Sequence, residues 1–164
     1  MAMWKRRQRT SRDVVRPLLV GSSGGHLTQL FALRSWWESG ERGWVTFDTP
    51  DAIYTLADEK NVWWAFHPTT RNIPNLLRNT RLAWRVLREF RPTVVVSTGA
   101  GTAVPFFVLG RLLGARTAYV EVYDRVETAT LTGRLCRPFT DVMMVQWPEQ
   151  AALYDDAVVI GPLL

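Results

Sequence analysis

The sequence predicts an α/β fold, a mostly parallel sheet with helices on both faces. Three observations predict it. From residue 17 onward, short apolar runs alternate with helix-like segments, and strands joined by helical crossovers pair in parallel. The run Thr93 to Ser97 (Thr-Val-Val-Val-Ser) has no polar alternation, as a strand covered on both faces would show. The runs ending at Val20 and Ser97 pass into glycine-containing turns and then into helices. In such sheets ligands bind beyond the carboxyl ends of the strands.

The elements follow in order. Pro17 to Val20 reads as the first strand, closed by Gly21, and Leu27 to Glu38 as a helix with Leu27, Leu30 and Phe31 on one face. Trp44 to Phe47 is the second strand, Asp51 to Asp58 a short helix and Val62 to Phe66 the third strand. Ile73, Leu76, Leu77, Ala83, Trp84, Leu87 and Phe90 recur at helical spacing as far as Arg91-Pro92, giving a helix over 72–91. After the strand at 93–97, Thr102 to Leu113 reads as an apolar helix ended by Gly114. Pro105 fits there because the first turn needs no N–H from it. Thr117 to Val122 and Val142 to Gln146 are strands, with a helix from Glu127 to Arg137 between them, stopped by Pro138. Pro148 to Tyr154 is a short helix and Val158 to Ile160 a last strand.

Composition narrows the classes. The chain has 164 residues, 47% hydrophobic and 21% charged, enough for one domain that buries roughly 70% of its unfolded surface. One cysteine, Cys136, excludes an intramolecular disulfide and a cysteine-built zinc site. No apolar run reaches the roughly 17–25 residues of a membrane-spanning helix. The basic start is followed by no apolar stretch of the kind a secretory signal carries, so a cytoplasmic protein is expected.

Charge is unevenly placed. Lys5, Arg6, Arg7, Arg9, Arg12 and Arg16, against Asp13 alone, account for the whole net charge of +5. The sequence thus divides into a basic arm, 1–16, and a neutral globule, 17–164. Such an arm is either a solvated tail or a surface for nucleic acid or anionic membrane. Trp4 beside Lys5, Arg6, Arg7 and Arg9 favours membrane, since indole prefers the lipid–water interface. The neutral globule disfavours nucleic acid.

The loop Gly21-Ser22-Ser23-Gly24-Gly25-His26 joins a strand to a helix. Adjacent glycines let backbone N–H groups approach a ligand, and a helix start favours an anion. The spacing matches neither a dinucleotide fingerprint nor a nucleotide P-loop. The loop is either an anion cradle or a tight turn capped by Ser23, and His26 is either a base or donor beside it or a packing residue. His67, before Pro68, reads as structural. The second turn, Ser97-Thr98-Gly99-Ala100-Gly101-Thr102, either binds a phosphate or sugar through Ser97, Thr98, Gly99 and Gly101 or is simple turn chemistry. Glu121 is a lone carboxylate in an apolar strand, so it is either paired or functional. Arg78, Arg81, Arg85 and Arg88 fall within roughly 80° of helical arc, as a solvated face or a grip on lipid phosphates. The helix 102–113, apolar nearly all round, is either buried or partly dipped into a membrane.

Several motifs together resemble a known family: Gly-Ser-Ser-Gly-Gly-His at 21–26, Asn-Ile-Pro-Asn at 72–75, Ser-Thr-Gly-Ala-Gly at 97–101 with Val104-Pro105-Phe106, Glu121, Leu-Thr-Gly-Arg at 131–134, and Val-Gln-Trp-Pro-Glu at 145–149. Over residues 17–162 they look like the Alg14-like family, whose bacterial members are the PssD and CpsF types of exopolysaccharide and capsule synthesis. The resemblance implies a Rossmann-like domain, the N-terminal, acceptor-binding half of a GT-B glycosyltransferase of the MurG type. It implies that a separate donor-binding chain, Alg13- or PssE-like, completes the enzyme. The pair would transfer N-acetylglucosamine or a related hexose from a UDP-sugar to a polyprenyl-diphosphate-linked sugar at the cytoplasmic membrane face, with no cofactor and no metal. Ser22, Ser23, Gly24 and Gly25 would hold the acceptor diphosphate, and His26 and Glu121 would be catalytic. Two departures are visible: Glu121 precedes Val122-Tyr123-Asp124-Arg125 where the family more often has Ser-Phe-Ala-Arg, and where eukaryotic members carry an N-terminal membrane helix, only the basic arm with Trp4 could serve here. Two alternatives stand beside this reading. One is a non-catalytic scaffold for another transferase. The other is a nicotinamide-dependent oxidoreductase or epimerase, with Asp48 as the ribose-binding acid.

Overall fold

A computed structural model describes residues 15–164; the arm residues Trp4, Lys5, Arg6, Arg7 and Arg9 lie outside them. Among the described residues seven parallel strands form one sheet: β1 (Pro17–Val20), β2 (Gly43–Thr46), β3 (Val62–Trp64), β4 (Val94–Ser97), β5 (Arg116–Val120), β6 (Val142–Val145) and β7 (Val158–Val159), in the order β3-β2-β1-β4-β5-β6-β7. Every strand pairing is parallel, as the helical crossovers require. The order reverses between β1 and β4, so the loops after these two strands part to opposite faces and leave a crevice, the usual ligand site of this fold.

The strands read as unbroken apolar runs because both faces are covered. Leu18, Val20, Val45 and Val95 point to one core with Leu82, Val86, Phe106 and Phe107. Their neighbours Leu19, Trp44 and Val96 point to the other, with Leu27, Leu30 and Trp37. Period-two side chains on a doubly buried strand give this split. The first face carries α4 (Ile73–Phe90), α5 (Ala103–Leu112) and α6 (Leu131–Cys136); the second carries α1 (Gly25–Ala32), α2 (Arg34–Trp37) and α3 (Pro50–Thr55).

Four expectations are corrected. The helix expected over 27–38 breaks at Leu33, because the Trp37 indole turns into the core and its Nε1–H donates to the Leu30 carbonyl at 2.9 Å. The helix expected from Glu127 starts only at Leu131: the Thr130 side chain caps it by accepting from Gly133 N, and Thr130 itself is held by Glu121. Residues 148–153 form a 3₁₀ turn rather than an α-helix. On α4 the buried face is Asn75, Asn79, Leu82, Ala83, Val86, Leu87 and Phe90, whereas Ile73, Leu76, Leu77 and Trp84 face solvent. The buried asparagines belong there because Asn79 accepts from Phe66 N and donates to Phe66 O, both at 2.9 Å, ending β3 early. The arginines 78, 81, 85 and 88 are exposed. On α5 the face with Ala103, Pro105, Phe106, Phe107 and Gly110 is buried, while Leu112 and Leu113 are exposed.

Candidate functional site

A cleft of about 640 Å³ opens at the carboxyl ends of the strands. Ser22 and His26 line it after β1, His67 and Thr69 after β3, Gly99 and Gly101 after β4, and Asp124 and Arg125 after β5. Four separate loops therefore converge on the crevice that the strand order creates.

His26 is the best-defined group. It sits in the first turn of α1, and its Nδ1 lies 2.8 Å from the Thr98 carbonyl oxygen. A carbonyl only accepts, so Nδ1 carries the hydrogen and the neutral ring keeps its lone pair on Nε2. Thr98 Oγ1 returns a bond to the His26 carbonyl at 2.9 Å. Burial holds the imidazole below its ordinary 6.5, opposed by the Thr98 hydrogen bond and by the charges of Asp124 and Glu121. The ring is thus neutral at neutral pH, with a basic nitrogen free.

The second turn supports that ring. Ser97 and Thr98 are fully buried and face inward: Ser97 Oγ accepts from Gly99 N at 3.0 Å, and Thr98 grips His26. Gly99 has φ +120°, and a Cβ there would meet His26 Cε1 at 3.0 Å and the Tyr119 hydroxyl at 3.1 Å. Only glycine lets the turn pass so close beneath the imidazole. A Cβ on Gly101 would meet the Thr69 side chain at 3.0 Å.

The first loop divides. Ser22 faces the cleft, while Gly24 and Gly25 lie exposed, outside its lining. A Cβ on Gly25 would meet nothing within 4 Å. Internal packing therefore does not demand glycine there, and the open space is room for a ligand to reach the backbone. Gly24 N donates to Asp51 Oδ2 at 3.2 Å. The Thr49 side chain, followed by this bond, holds the Asp51 carboxyl below its usual range.

Glu121 is completely buried and does not line the cleft. It is the residue just after β5, and its carboxylate accepts from Val122 N (3.0 Å), Thr130 N (3.2 Å), Thr130 Oγ1 (3.0 Å) and the Tyr154 hydroxyl. A Cβ on Gly133 would lie 2.7 Å from Glu121 Oε2 and against the Tyr154 hydroxyl. The cluster sits behind the wall that Thr130 and Tyr119 present to the cleft. Burial raises the pKa values of Tyr119 and Tyr154, and it pushes the Cys136 thiol up to about 12, leaving it protonated.

Sequence reasoning missed His67 and Asp124 as lining residues. His67 Nε2 lies 3.2 Å from Asp48 Oδ1, so the acid considered for a ribose is engaged with a histidine. The Asn72–Asn75 motif builds the loop that carries His67: Asn72 caps α4, and Asn75 Nδ2 donates to the Pro68 carbonyl at 3.0 Å. Among the described residues, no three His, Cys, Asp or Glu side chains gather to hold a metal ion.

Comparison with known proteins gives a consistent result. The profile of the family described as "Oligosaccharide biosynthesis protein Alg14 like" matches residues 53–163. The human UDP-N-acetylglucosamine transferase subunit ALG14 is 25% identical, over 94% of this chain and 86% of its own length. The Eremothecium gossypii protein of the same name is 37% identical over 61% of this chain and 47% of its own. Among solved structures, Acinetobacter baumannii MurG aligns with a TM-score of 0.72 and 18% identity, over 88% of this chain and 45% of MurG. Neisseria meningitidis UDP-GlcNAc 2-epimerase, bound to UDP-GlcNAc, aligns with a TM-score of 0.69 and 12% identity, over 91% of this chain and 47% of the epimerase. The chain thus spans slightly less than half the length of these two structures, and the likeness to them is one of fold.

Proposed function

The chain belongs to the Alg14-like family, and from that premise we propose that it is the acceptor-binding subunit of a UDP-sugar-dependent glycosyltransferase. Its substrate is a sugar linked to a polyprenyl diphosphate, in exopolysaccharide, capsule or lipid-linked oligosaccharide synthesis. A second, donor-binding chain supplies the nucleotide-sugar wall. The observation that carries this reading is His26: a half-buried, neutral imidazole with Nδ1 fixed on the Thr98 carbonyl and Nε2 left free, on the wall of an open cleft at the switch point. His26 Nε2 takes the proton of an acceptor hydroxyl. That oxygen bonds to the anomeric carbon, the bond from that carbon to the UDP oxygen breaks, and UDP leaves. The open backbone at Gly25 faces the acceptor diphosphate, with Gly24 N tied to Asp51 beside it. Glu121 acts through Thr130, by holding the wall.

The test is transfer of radiolabelled sugar from several UDP-sugars to a lipid-diphosphate acceptor, with and without the donor-binding chain. Turnover is expected only with both. Full turnover by this chain alone would overturn the division of labour, and binding without any transfer by the pair would favour a scaffold.

The same reading places the protein peripherally at the cytoplasmic membrane face. Among the described residues no helix is long and apolar enough to cross a membrane. On α4, however, Ile73 (70% exposed), Leu77 (65%) and Trp84 (46%) form a stripe beside Arg78, Arg81, Arg85 and Arg88. Apolar side chains edged by cations suit an anionic bilayer surface. The arm adds five more cations, Lys5, Arg6, Arg7, Arg9 and Arg12, each contributing about 1 kcal/mol near such a surface, while Arg16 is paired with Glu41 at 3.1 Å. The full chain should bind anionic vesicles, and raised salt or deletion of residues 1–16 should weaken that binding. Equal, salt-insensitive binding to neutral vesicles would contradict this placement.

A further inference from the structure

Residues 121–125 leave β5 without forming regular structure, yet four of their carbonyl groups are held by side chains from one distant segment. Gln146 Nε2 donates to the Glu121 carbonyl at 3.0 Å. Gln150 Nε2 donates to the Val122 carbonyl at 2.7 Å and the Arg125 carbonyl at 3.1 Å. Trp147 Nε1 donates to the Tyr123 carbonyl at 2.8 Å. The donors are fixed in turn: Gln150 Oε1 accepts from Gln146 N at 2.8 Å and Trp147 N at 3.1 Å, and Gln146 Nε2 also reaches Gln29 Oε1 on α1 at 2.7 Å. Gln146 and Gln150 are buried, where unmet amide groups would be costly. The network is fully used, and the loop it holds carries the two charged residues that β5 contributes to the cleft. Asp124 and Arg125 are exposed and form no ion pair among the described residues.

We propose that Gln146, Trp147 and Gln150 are positioning residues of the cleft, suspending the 121–125 backbone so that Asp124 and Arg125 face the substrate beside His26. Asp124 thereby orients an acceptor hydroxyl towards Nε2 and offsets the positive charge that His26 gains on taking its proton. This role for substrate rests on the transferase reading; the geometry of the loop does not. The groups around His26 are the Thr98 carbonyl, Asp124 and Glu121, with His67 and Arg125 on the same cleft wall. Of the carboxylates that act on His26, Asp124 is the one that the suspended loop carries into the cleft, with Arg125 beside it.

The experiment is a histidine ring titration by NMR on the full chain, with His67 assigned from His67→Gln. Asp124→Asn is expected to lower the His26 pKa, since a carboxylate nearby favours the imidazolium. Trp147→Phe keeps an aromatic ring and removes the donor to the Tyr123 carbonyl. Gln150→Met removes the donor to the Val122 and Arg125 carbonyls without adding a charge near His26. Both should move His26 in the same direction as Asp124→Asn, and neither should add to it in a double variant. In the paired assay, Trp147→Phe should raise the acceptor KM about tenfold and leave the UDP-sugar KM unchanged. A His26 titration unmoved by Asp124→Asn, or moved by it but by neither loop variant, would overturn the proposal. A lower melting temperature with wild-type titration and acceptor KM would mark a purely structural role and overturn it as well. The titration needs no turnover, so failure of the transferase reading would show separately, as an inert pair with His26 still coupled to the loop.

Discussion

His26→Asn retains its melting temperature and loses roughly 10²–10⁴-fold in kcat/KM in the paired assay, about 3–5 kcal/mol of transition-state stabilisation. The choice of asparagine follows from the structure. Its amide N–H can still donate to the Thr98 carbonyl that now takes Nδ1–H at 2.8 Å, so the turn stays tied while the basic Nε2 disappears. The pH profile gives an independent sign. Burial lowers the His26 pKa from its ordinary 6.5, so the active neutral form persists to lower pH than for a free histidine. The acidic limb of wild-type kcat/KM should therefore fall below pH 6.5, and it should vanish in His26→Asn. Gly25→Val is the companion from the same loop. Its Cβ meets no other part of the protein within 4 Å, so the fold should survive while backbone approach to a diphosphate is blocked. Near-normal activity in both folded variants would remove the loop from the site.

The strands and the crevice were legible because parallel strands covered on both faces appear as plain apolar runs. Gly21 to His26 and Ser97 to Thr102 each follow such a run, and adjacency of β1 with β4 brings them together. What escaped depends on side-chain partners that apolar spacing does not report. The break at Leu33 comes from an indole reaching back to Leu30. The buried face of α4 contains Asn75 and Asn79, whose partners lie at Pro68 and Phe66, so apolar spacing alone chose Ile73, Leu77 and Trp84 instead. Ser97 and Thr98 read either as ligand hydroxyls or as turn chemistry, and the fold turns them inward to fix a glycine turn and a histidine. His67 enters the cleft through a loop whose reach local sequence does not encode. Gly133 and Gln146 stood out only as parts of motifs. Their work is to leave space and to donate across the fold, and neither use shows as periodicity.

Glu121→Gln should cost about 2–4 kcal/mol of stability, on the order of a 5–15 °C fall in melting temperature for a chain of this size. The carboxylate offers both oxygens as acceptors, to Val122 N, Thr130 N, Thr130 Oγ1 and the Tyr154 hydroxyl. A glutamine keeps one acceptor oxygen and turns an NH₂ group towards hydrogens that no longer have a partner, in a place with no exposure to water. Gly133→Ala should act on the same cluster from the other side. Its methyl would lie 2.7 Å from Glu121 Oε2 and 3.0 Å from Thr130 Oγ1, so the carboxylate must shift and its bonds lengthen. Because the two substitutions damage one network, the double variant should lose less stability than the separate losses added together. Activity should fall with the fold rather than ahead of it, since Thr130 and Tyr119 stand between Glu121 and the cleft. Thermal melting and paired-assay turnover on Glu121→Gln separate the possibilities. Near-native melting with a tenfold or greater loss of turnover would instead put the carboxylate in contact with the acceptor sugar.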